Sequence, residues 1–201
     1  MKKNKIAFQG EQGAYSHIAC EALFKDAVIK TCSTFEETFR TAYDDENYKI
    51  VVPIENSLAG RIADIHYLLP KYKLQIYAEH FQVVEHNLLV KQNADLKDIK
   101  YVRSHAQAID QCQNIIQKHK FETIISADTA GSAKELSKSE DKSIAAIASK
   151  LSAKIYDLKV LMENIEDESQ NVTRFLIMGK KVKQPEYQKD KKYITTCIFR
   201  V

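Results

Sequence analysis

The spacing of apolar residues along the chain is the feature that most restricts its fold. Short apolar runs, such as IAF near the N-terminus and IVVPI at 50–54, alternate with segments whose apolar residues recur every three or four positions. In segment 34–43, Phe35, Phe39 and Ala42 fall on one face of a helix. Strands that alternate with amphipathic helices predict an α/β protein with mostly parallel sheets.

Two segments need separate interpretation. Residues 74–90, LQIYAEHFQVVEHNLLV, contain many β-branched and aromatic residues and alternate in polarity, so we expect two extended segments there. Residues 143–156, SIAAIASKLSAKIY, are rich in alanine and are expected to be mostly helical. No internal repeat at a fixed period is evident.

Length and composition exclude several classes of protein. At 201 residues with 44% apolar and 28% charged residues, the chain can bury a core as one domain or two small ones. No apolar run reaches the roughly 18 residues of a membrane helix. The N-terminus MKKNKIAFQG lacks the apolar stretch of a signal peptide, which predicts a cytoplasmic protein. The four cysteines and six histidines lack metal-ligand spacing, so we expect reduced thiols and no metal site.

The positive charge is concentrated in one segment. Residues 180–192 contain six lysines and two acidic residues, a local charge of +4 in a chain whose net charge is +3. The remainder is therefore close to neutral. A nucleic-acid-binding protein should carry a basic face on its folded part, so we expect no nucleic acid as a partner.

Four predicted junctions between a strand and a helix carry small and polar residues. They are QGEQGAYS at 9–16, IENSLAG at 54–60, RSHAQA at 103–108 and SADTAGS at 126–132. Each junction alone is explained by helix capping. Together, at the carboxyl ends of strands, they predict a site for a small anion, because helix N-termini attract negative charge. The dinucleotide and P-loop fingerprints are absent from the sequence.

The segment NVTRFLIM, residues 171–178, combines two kinds of sequence. FLIM is typical of a buried strand, whereas Asn171, Thr173 and Arg174 bring an amide, a hydroxyl and a guanidinium to the edge of the core. Nucleophilic catalysis is poorly supported, because there is no GxSxG motif and Cys112 falls on the apolar face of its predicted helix.

Six of these motifs occur in an order that resembles the prephenate dehydratase family from near residue 5 to near residue 180. They are GEQGAYSHIA, PIENSLAGRI, SHAQAIDQC, ADTAGSAKEL, AAIAS and NVTRF. The resemblance implies a two-lobed α/β fold of the periplasmic-binding-protein type (type II), with mostly parallel sheets and the active site in the cleft between the lobes.

The resemblance also implies a division of the chain. Residues 1–76 and 167–181 would form the first lobe, and residues 77–166 the second. Residues 182–193 would be a charged linker. Residues 194–201, ITTCIFRV, resemble the first strand of the ACT regulatory domain that usually follows in the family. That domain would be truncated here, and phenylalanine would act as an effector only if the full-length protein contains it.

The family's proposed proton donor is the Thr of its TRF motif, which is Thr173 here. Arg174 is expected to bind a substrate carboxylate through two parallel hydrogen bonds, which a lysine could not reproduce. The other substrate-binding residues implied by the resemblance are Tyr15 and Ser16 of the first loop, Asn56 and Ser57, Ser104, Gln111, Asn171, and Phe175, which is expected mainly to pack.

Three further positions stay open. His86 either donates to a carboxylate or is a structural histidine at a strand end. Asp128 either contributes to the site or only caps a helix. Gln107 is a spare polar side chain in its junction.

The function implied is that of a carbon–oxygen lyase in phenylalanine biosynthesis. It expels the ring hydroxyl and carbon dioxide of prephenate, gives phenylpyruvate and needs no cofactor. Arogenate dehydratase is one alternative, and a non-catalytic binding module for a small anion is another. The expected partners are a dicarboxylate substrate and further copies of the chain, as a homodimer or larger homo-oligomer, but no membrane.

Overall fold

The structure is a computed structural model and describes residues 3–181 and 186–193. Its strands are β1 (Lys5–Gln9), β2 (Val28–Cys32), β3 (Tyr48–Asn56), β4 (Gly60–Arg61), β5 (Gln75–Val83), β6 (Asn87–Val90), β7 (Tyr101–Ser104), β8 (Glu122–Ile125), β9 (Ile144–Ala148), β10 (Lys159–Met162) and β11 (Val172–Gly179). Its α-helices are α1 (Tyr15–Leu23), α2 (Phe35–Asp44), α3 (Ala63–Tyr72), α4 (Ala106–Asp110), α5 (Gln113–His119), α6 (Thr129–Lys138) and α7 (Lys150–Ile155).

The strands form two sheets with the same plan. The first has the order β2-β1-β3-β11-β5, with β4 paired to β3, and the second has the order β10-β6-β9-β7-β8. Three strands in each sheet are parallel, namely β2, β1 and β3 in the first and β8, β7 and β9 in the second. The neighbouring β11 and β6 are antiparallel to them. The expected two-lobed α/β fold is confirmed, and antiparallel strands complete each sheet.

Strand β5 shifts the expected boundary between the lobes. It pairs with β11 from Gln75 to Val83, so residues 77–83 belong to the first sheet and not to the second. The chain crosses to the second sheet after Val83 and returns before β11. The extended segments expected in 74–90 are confirmed as β5 and β6. The predicted strand at 194–201 and residues 182–185 of the predicted linker lie outside the described residues.

The prediction of a mostly helical segment at 143–156 was wrong in its first half. Residues Ile144–Ala148 form β9, which lies between β6 and β7, and only Lys150–Ile155 are helical. Four of the five β9 residues are buried. The helix propensity of alanine was overridden because a central strand covered on both faces reads as a continuous run of small apolar residues. No helix in the described part of the chain is long and apolar enough to cross a membrane.

Strand β11 sends alternate side chains to the two faces of the first sheet. Phe175 and Ile177 pack in the same cluster as the α1 residues Ala19 and Cys20. Leu176 and Met178 pack in the cluster that also contains residues of α2 and α3. Because the side-chain period of a strand is two, Thr173 shares the α1 face with Phe175, and Arg174 belongs to the opposite face.

Candidate active site

A cleft of about 490 Å³ lies where residues that follow strands of the two sheets meet. This is the position at which open α/β sheets bind ligands. Ten of the residues predicted from the sequence line it, namely Tyr15, Ser16, Asn56, His86, Gln107, Gln111, Asp128, Asn171, Thr173 and Phe175.

Ser57 and Ser104 are not among the lining residues. Ser57 Oγ donates to Gln170 O at 2.8 Å and accepts from the Val172 amide at 2.9 Å, so it ties the loop after β3 to the start of β11. Ser104 is fully buried, and its Oγ donates to Ile147 O at 2.7 Å, which ties β7 to β9. Both hydroxyl groups hold the backbone near the cleft, and neither faces it.

Arg174 also lies outside the cleft lining. Its Nη1 is 3.0 Å from a Glu55 carboxylate oxygen, its Nη2 is 2.7 Å from Glu79, and the Phe81 ring lies 6.0 Å from the guanidinium carbon. These contacts raise the pKa of Arg174, with the Glu55 hydrogen bond as the largest favourable cause. The expectation that Arg174 binds a substrate carboxylate does not fit this geometry, because strand alternation turns it away from Thr173 towards two carboxylates of its own sheet.

Asn56 fixes the direction of a chain of amide hydrogen bonds. The backbone amides of Leu58 and Ala59 donate to Asn56 Oδ1 at 3.0 and 2.8 Å. Since a backbone N–H can only donate, the opposite atom of the Asn56 amide must be the nitrogen. That nitrogen donates to Asn171 Oδ1 at 2.7 Å and to Thr173 Oγ1 at 2.9 Å.

The same chain continues to the second sheet's side of the cleft. Asn171 Nδ2 donates to Gln111 Oε1 at 2.8 Å, and that oxygen lies 2.9 Å from His86 Nε2. An amide oxygen can only accept, so His86 Nε2 carries a proton. Burial lowers the pKa of His86 as the largest effect, although the Gln111 hydrogen bond and the Glu166 carboxylate act to raise it. The imidazole is therefore neutral near pH 7, with its proton on Nε2.

Tyr15 joins this network from α1. Its hydroxyl oxygen lies 2.7 Å from Glu85 O and 3.0 Å from His86 Nδ1. Burial raises the pKa of Tyr15 well above its ordinary value, so the phenol keeps its proton. The single Tyr15 proton therefore faces two acceptors, Glu85 O and the unprotonated His86 Nδ1. His86 is a link between α1 and Gln111 in this geometry.

Thr173 is the terminal hydroxyl group of the chain of hydrogen bonds. Its Oγ1 accepts from Asn56 Nδ2, and among the described residues no acceptor is found for its own proton. The residue is only 8% exposed, and it lines the cleft. A buried hydroxyl whose lone pair is occupied by a neutral donor is free to donate into the cleft.

The loop before α1 is held from the second sheet's side. Ser149 Oγ and Ser152 Oγ donate to Gly13 O at 2.6 and 3.0 Å. A Cβ at Gly13, where φ is +91°, would lie 2.4 Å from Ser152 Oγ and 2.7 Å from its Cα, so only glycine fits here. Two more contacts join Tyr156 Oη to Gln12 O at 2.9 Å and Lys134 Nζ to Glu11 at 2.8 Å.

Sequence reasoning missed several lining residues, among them Gln9, Arg61 and Thr129. Gln9 and Thr129 lie within the predicted junctions, so their position was already a signal. From the sequence His105, like His86, is either a carboxylate donor or a structural histidine, and it also lines the cleft. His105 caps α4, because its Nδ1 accepts from the Gln107 amide at 3.3 Å. Asp128 caps α6 by accepting from the Gly131 amide at 2.6 Å, as one of its two sequence interpretations proposed.

Cys20, Cys32 and Cys112 are free, buried thiols outside the cleft lining. Burial raises the pKa of Cys20 to about 12 and also raises that of Cys112. Thiols with raised pKa are poor nucleophiles at neutral pH. These three residues therefore serve the core.

The fold and the site together define a class of protein: a two-lobed α/β protein whose cleft places a chain of neutral polar groups beside the buried Thr173 hydroxyl. The comparison with protein families makes this specific. The chain belongs to the prephenate dehydratase family, whose sequence model matches residues 6–183.

Individual relatives agree with this assignment. Over 199 residues the chain is 37% identical to a bifunctional N-acyl-homoserine lactone acylase/prephenate dehydratase of Komagataeibacter europaeus, covering 98% of this chain and 69% of that protein. Over 197 residues it is 39% identical to arogenate dehydratase/prephenate dehydratase 1, chloroplastic, of Arabidopsis thaliana, covering 98% of this chain and 50% of that one. The solved prephenate dehydratase of Staphylococcus aureus subsp. aureus Mu50 has a TM-score of 0.78 at 29% identity, covering 90% of this chain and 68% of that one. The chain thus spans about half the length of the plant relative.

Proposed function

We propose that this chain catalyses the decarboxylating dehydration of prephenate to phenylpyruvate. Membership of the family supports the reaction class. The observation that carries the proposal is the Thr173 hydroxyl, which accepts from Asn56 and keeps its proton available to the cleft. The reaction needs such a donor at the oxygen that leaves.

The reaction balances without a cofactor. The bond from the ring to its carboxylate breaks, and its electron pair moves into the ring as carbon dioxide departs. The carbon–oxygen bond at the opposite end of the ring breaks, and the hydroxide that leaves takes a proton to become water. Aromatisation of the ring supplies the driving force.

Thr173 assists the departing oxygen in this scheme by hydrogen bonding to it as its basicity rises. An alcohol is a weak acid, so solvent supplies the full proton once the hydroxide has left. General acid assistance of this type contributes about 10²–10⁴-fold in rate. The fixed direction of the Asn56, Asn171 and Gln111 amides supplies the remainder as preorganised dipoles and positioning.

Arogenate is the alternative substrate. It differs from prephenate by an amino group in place of the keto oxygen on the side chain, and the same donor would serve the same leaving hydroxyl. The name of the Arabidopsis relative includes both activities. We keep arogenate dehydration as the second candidate function for this reason.

An acylase activity is less well supported, although the name of the Komagataeibacter relative includes one. Amide hydrolysis through a covalent intermediate needs a nucleophile next to a general base. Among the described residues of the cleft, neither Thr173 nor Ser16 has a histidine or carboxylate as a hydrogen-bond partner. The Tyr15 hydroxyl does contact His86 Nδ1, at 3.0 Å, but burial raises the pKa of Tyr15, which makes it a poor nucleophile.

The test is a product assay with three substrates offered separately to the purified chain. Prephenate should give phenylpyruvate, read by its ultraviolet absorbance, at a rate well above the spontaneous reaction. Phenylalanine formed from arogenate instead would transfer the proposal to the alternative substrate. Free fatty acid from an acyl-homoserine lactone, with no phenylpyruvate from prephenate, would contradict the proposal.

The biological setting follows from the same proposal. A dehydratase of this kind would act in phenylalanine biosynthesis in the cytoplasm. Its assembly as a homodimer or larger homo-oligomer, and any response to phenylalanine, stay predictions for the full-length protein.

A further inference from the structure

The position of Arg174 leaves a question about how a dicarboxylate is held. Among the described residues that line the cleft, the basic and acidic side chains other than histidine are Arg61 and Asp128. Arg61 lies opposite Glu55 in the pairing of β3 with β4, and Glu55 in turn lies opposite Arg174 in the pairing of β3 with β11. Directly opposed residues of a sheet share a face, so Arg61 belongs to the face away from Thr173. On the face of the sheet that carries Thr173 and α1, a carboxylate therefore meets neutral donors.

The N-terminus of α1 has such donors. The helix has nine residues and follows Ala14, which has no side chain able to cap it. The His17 amide donates to Ala14 O at 2.8 Å, but among the described residues the amides of Tyr15 and Ser16 have no acceptor. By contrast, α2 and α7 are capped by Thr34 and Ser149. Helix α3, which follows Ile62, also lacks a side-chain cap, so the missing cap alone does not single out α1.

The Ser16 side chain is an independent sign of a ligand. The residue is only 8% exposed, it lines the cleft, and no hydrogen-bond partner for its hydroxyl is found in the described part of the chain. The hydroxyl is therefore open to the cleft, where a ligand group can reach it and become its partner. It lies on the first turn of the same helix whose amides are free.

Hydrogen bonds on both sides of Gly13 hold the loop that leads into α1. The Gly13 amide donates to His17 Nδ1 at 3.0 Å, and the Gly13 carbonyl accepts from Ser149 and Ser152. The α1 N-terminus is thereby fixed from both sides before any ligand arrives. A ligand bound there would meet donors that need no rearrangement.

We propose that the amides of Tyr15 and Ser16, with the Ser16 hydroxyl, bind the side-chain carboxylate of the substrate, which is the carboxylate that the product retains. This inference rests on the proposed function and identifies one subsite of the same cleft. The hydroxyl that leaves lies at one end of the ring, and the pyruvyl side chain is attached at the opposite end. A substrate whose hydroxyl contacts Thr173 therefore needs a separate subsite, away from Thr173, for its side-chain carboxylate.

The chemistry also decides between the two carboxylates. The ring carboxylate loses its charge as carbon dioxide forms, and a site that stabilised that charge would stabilise the ground state more than the transition state. The side-chain carboxylate stays charged throughout the reaction. Partial positive charge at a helix N-terminus therefore suits the side-chain carboxylate.

The test is the binding of two probes by calorimetry, phenylpyruvate and its analogue without the carboxylate, 1-phenylpropan-2-one. Wild type should bind phenylpyruvate at least about tenfold more tightly than the ketone. Ser16→Ala should weaken phenylpyruvate about tenfold and leave the ketone unchanged, whereas Ser16→Thr should keep the affinity. Ser137→Ala is the matched control, because the Ser137 hydroxyl bonds only to Lys134 O within α6.

A second variant tests the subsite without weakening the fold. Ala14 has the extended backbone of an N-cap, with φ −60° and ψ 159°, so Ala14→Asp would place a carboxylate on the free amides. It should raise Tm by about 2–4 °C and reduce phenylpyruvate affinity at least about tenfold.

The two proposals fail in different ways. Phenylpyruvate affinity that is absent in the wild type, or the same in wild type, Ser16→Ala and Ala14→Asp, would overturn the subsite even if prephenate is turned over. If phenylpyruvate affinity depends on Ser16 but the chain does not convert prephenate, the proposed function is overturned and the cleft remains an anion-binding site.

Discussion

The two sides of the cleft differ in which of their polar groups are already paired. On the side of the first sheet, the Thr173 proton, the Ser16 hydroxyl and the first amides of α1 have no acceptor among the described residues. On the side of the second sheet, Asp128 caps α6 and Gln111 accepts from Asn171, whereas the side chains of Gln107 and Thr129 have no hydrogen bond among the described residues. The sheets share one strand plan, so the difference lies in the junctions. In the proposed mechanism, the first sheet supplies donors for chemistry and binding, and the second sheet mainly positions these groups and encloses the substrate.

The largest effect is expected at Thr173. Thr173→Val keeps the shape of the side chain and removes the hydroxyl, and it should lower kcat for prephenate about 10²–10⁴-fold. Thr173→Ser should recover most of the lost rate, because it restores the donor at the same atom. A Thr173→Val chain with wild-type kcat would remove this residue from the chemistry.

Gly13 tests how the second sheet holds the first. Gly13→Ala combines positive φ with a clash against Ser152, whereas Gly60→Ala has φ +80° and no atom within 4 Å of the new Cβ. Gly60→Ala should lower the free energy of unfolding by about 1–2 kcal/mol, and Gly13→Ala by about 1–3 kcal/mol more. Denaturant titration of both variants measures the difference. Equal losses would show that the Ser152 contact relaxes freely.

Asn56 tests the direction of the hydrogen-bond chain. Asn56→Asp keeps the oxygen that accepts from Leu58 and Ala59 but replaces the nitrogen that donates to Thr173. The Thr173 proton would then turn to the new carboxylate and leave the cleft, so kcat should fall about 10–10²-fold. Asn93→Asp, at an exposed position, controls for the added charge. Unchanged kcat in Asn56→Asp would mean that the direction of this amide does not matter.

Asp128 tests whether a polar group on the second sheet's side of the cleft serves the fold and not the substrate. Asp128→Ala removes the cap of α6 and should lower the free energy of unfolding by about 1 kcal/mol, whereas Asp128→Asn should retain most of the cap. Because its carboxylate is occupied by the Gly131 amide, kcat/KM for prephenate should change less than about threefold in Asp128→Ala. A larger fall in kcat/KM, at unchanged stability, would assign Asp128 to the substrate.

The smallest effect is expected at Arg174. Arg174→Gln breaks contacts with Glu55 and Glu79 that are partly exposed to solvent, so the free energy of unfolding should fall by only about 1 kcal/mol. KM for prephenate should stay within about twofold of wild type. A KM raised tenfold or more, with stability unchanged, would restore Arg174 as a carboxylate ligand.

The sequence predicted the architecture and many of the polar side chains of the cleft for identifiable reasons. The polar junctions mark where strands end, and ten of the predicted residues line the cleft. The alternation within NVTRFLIM already contained the reason why Thr173 and Arg174 face opposite sides. Ser104 could not be assigned from sequence, because its partner Ile147 lies in a strand that the alanine-rich segment concealed. The N-terminus of α1 has no side-chain cap, and only the structure shows that this helix end faces the cleft.

The central claim is that Thr173 acts on the leaving oxygen while other groups hold the substrate. Its most direct test measures kcat for prephenate and the Kd of phenylpyruvate on the same preparations of wild type and Thr173→Val. The account predicts that kcat falls at least about 10²-fold while Kd stays within about twofold. A parallel loss of both, or a loss of binding alone, would contradict it.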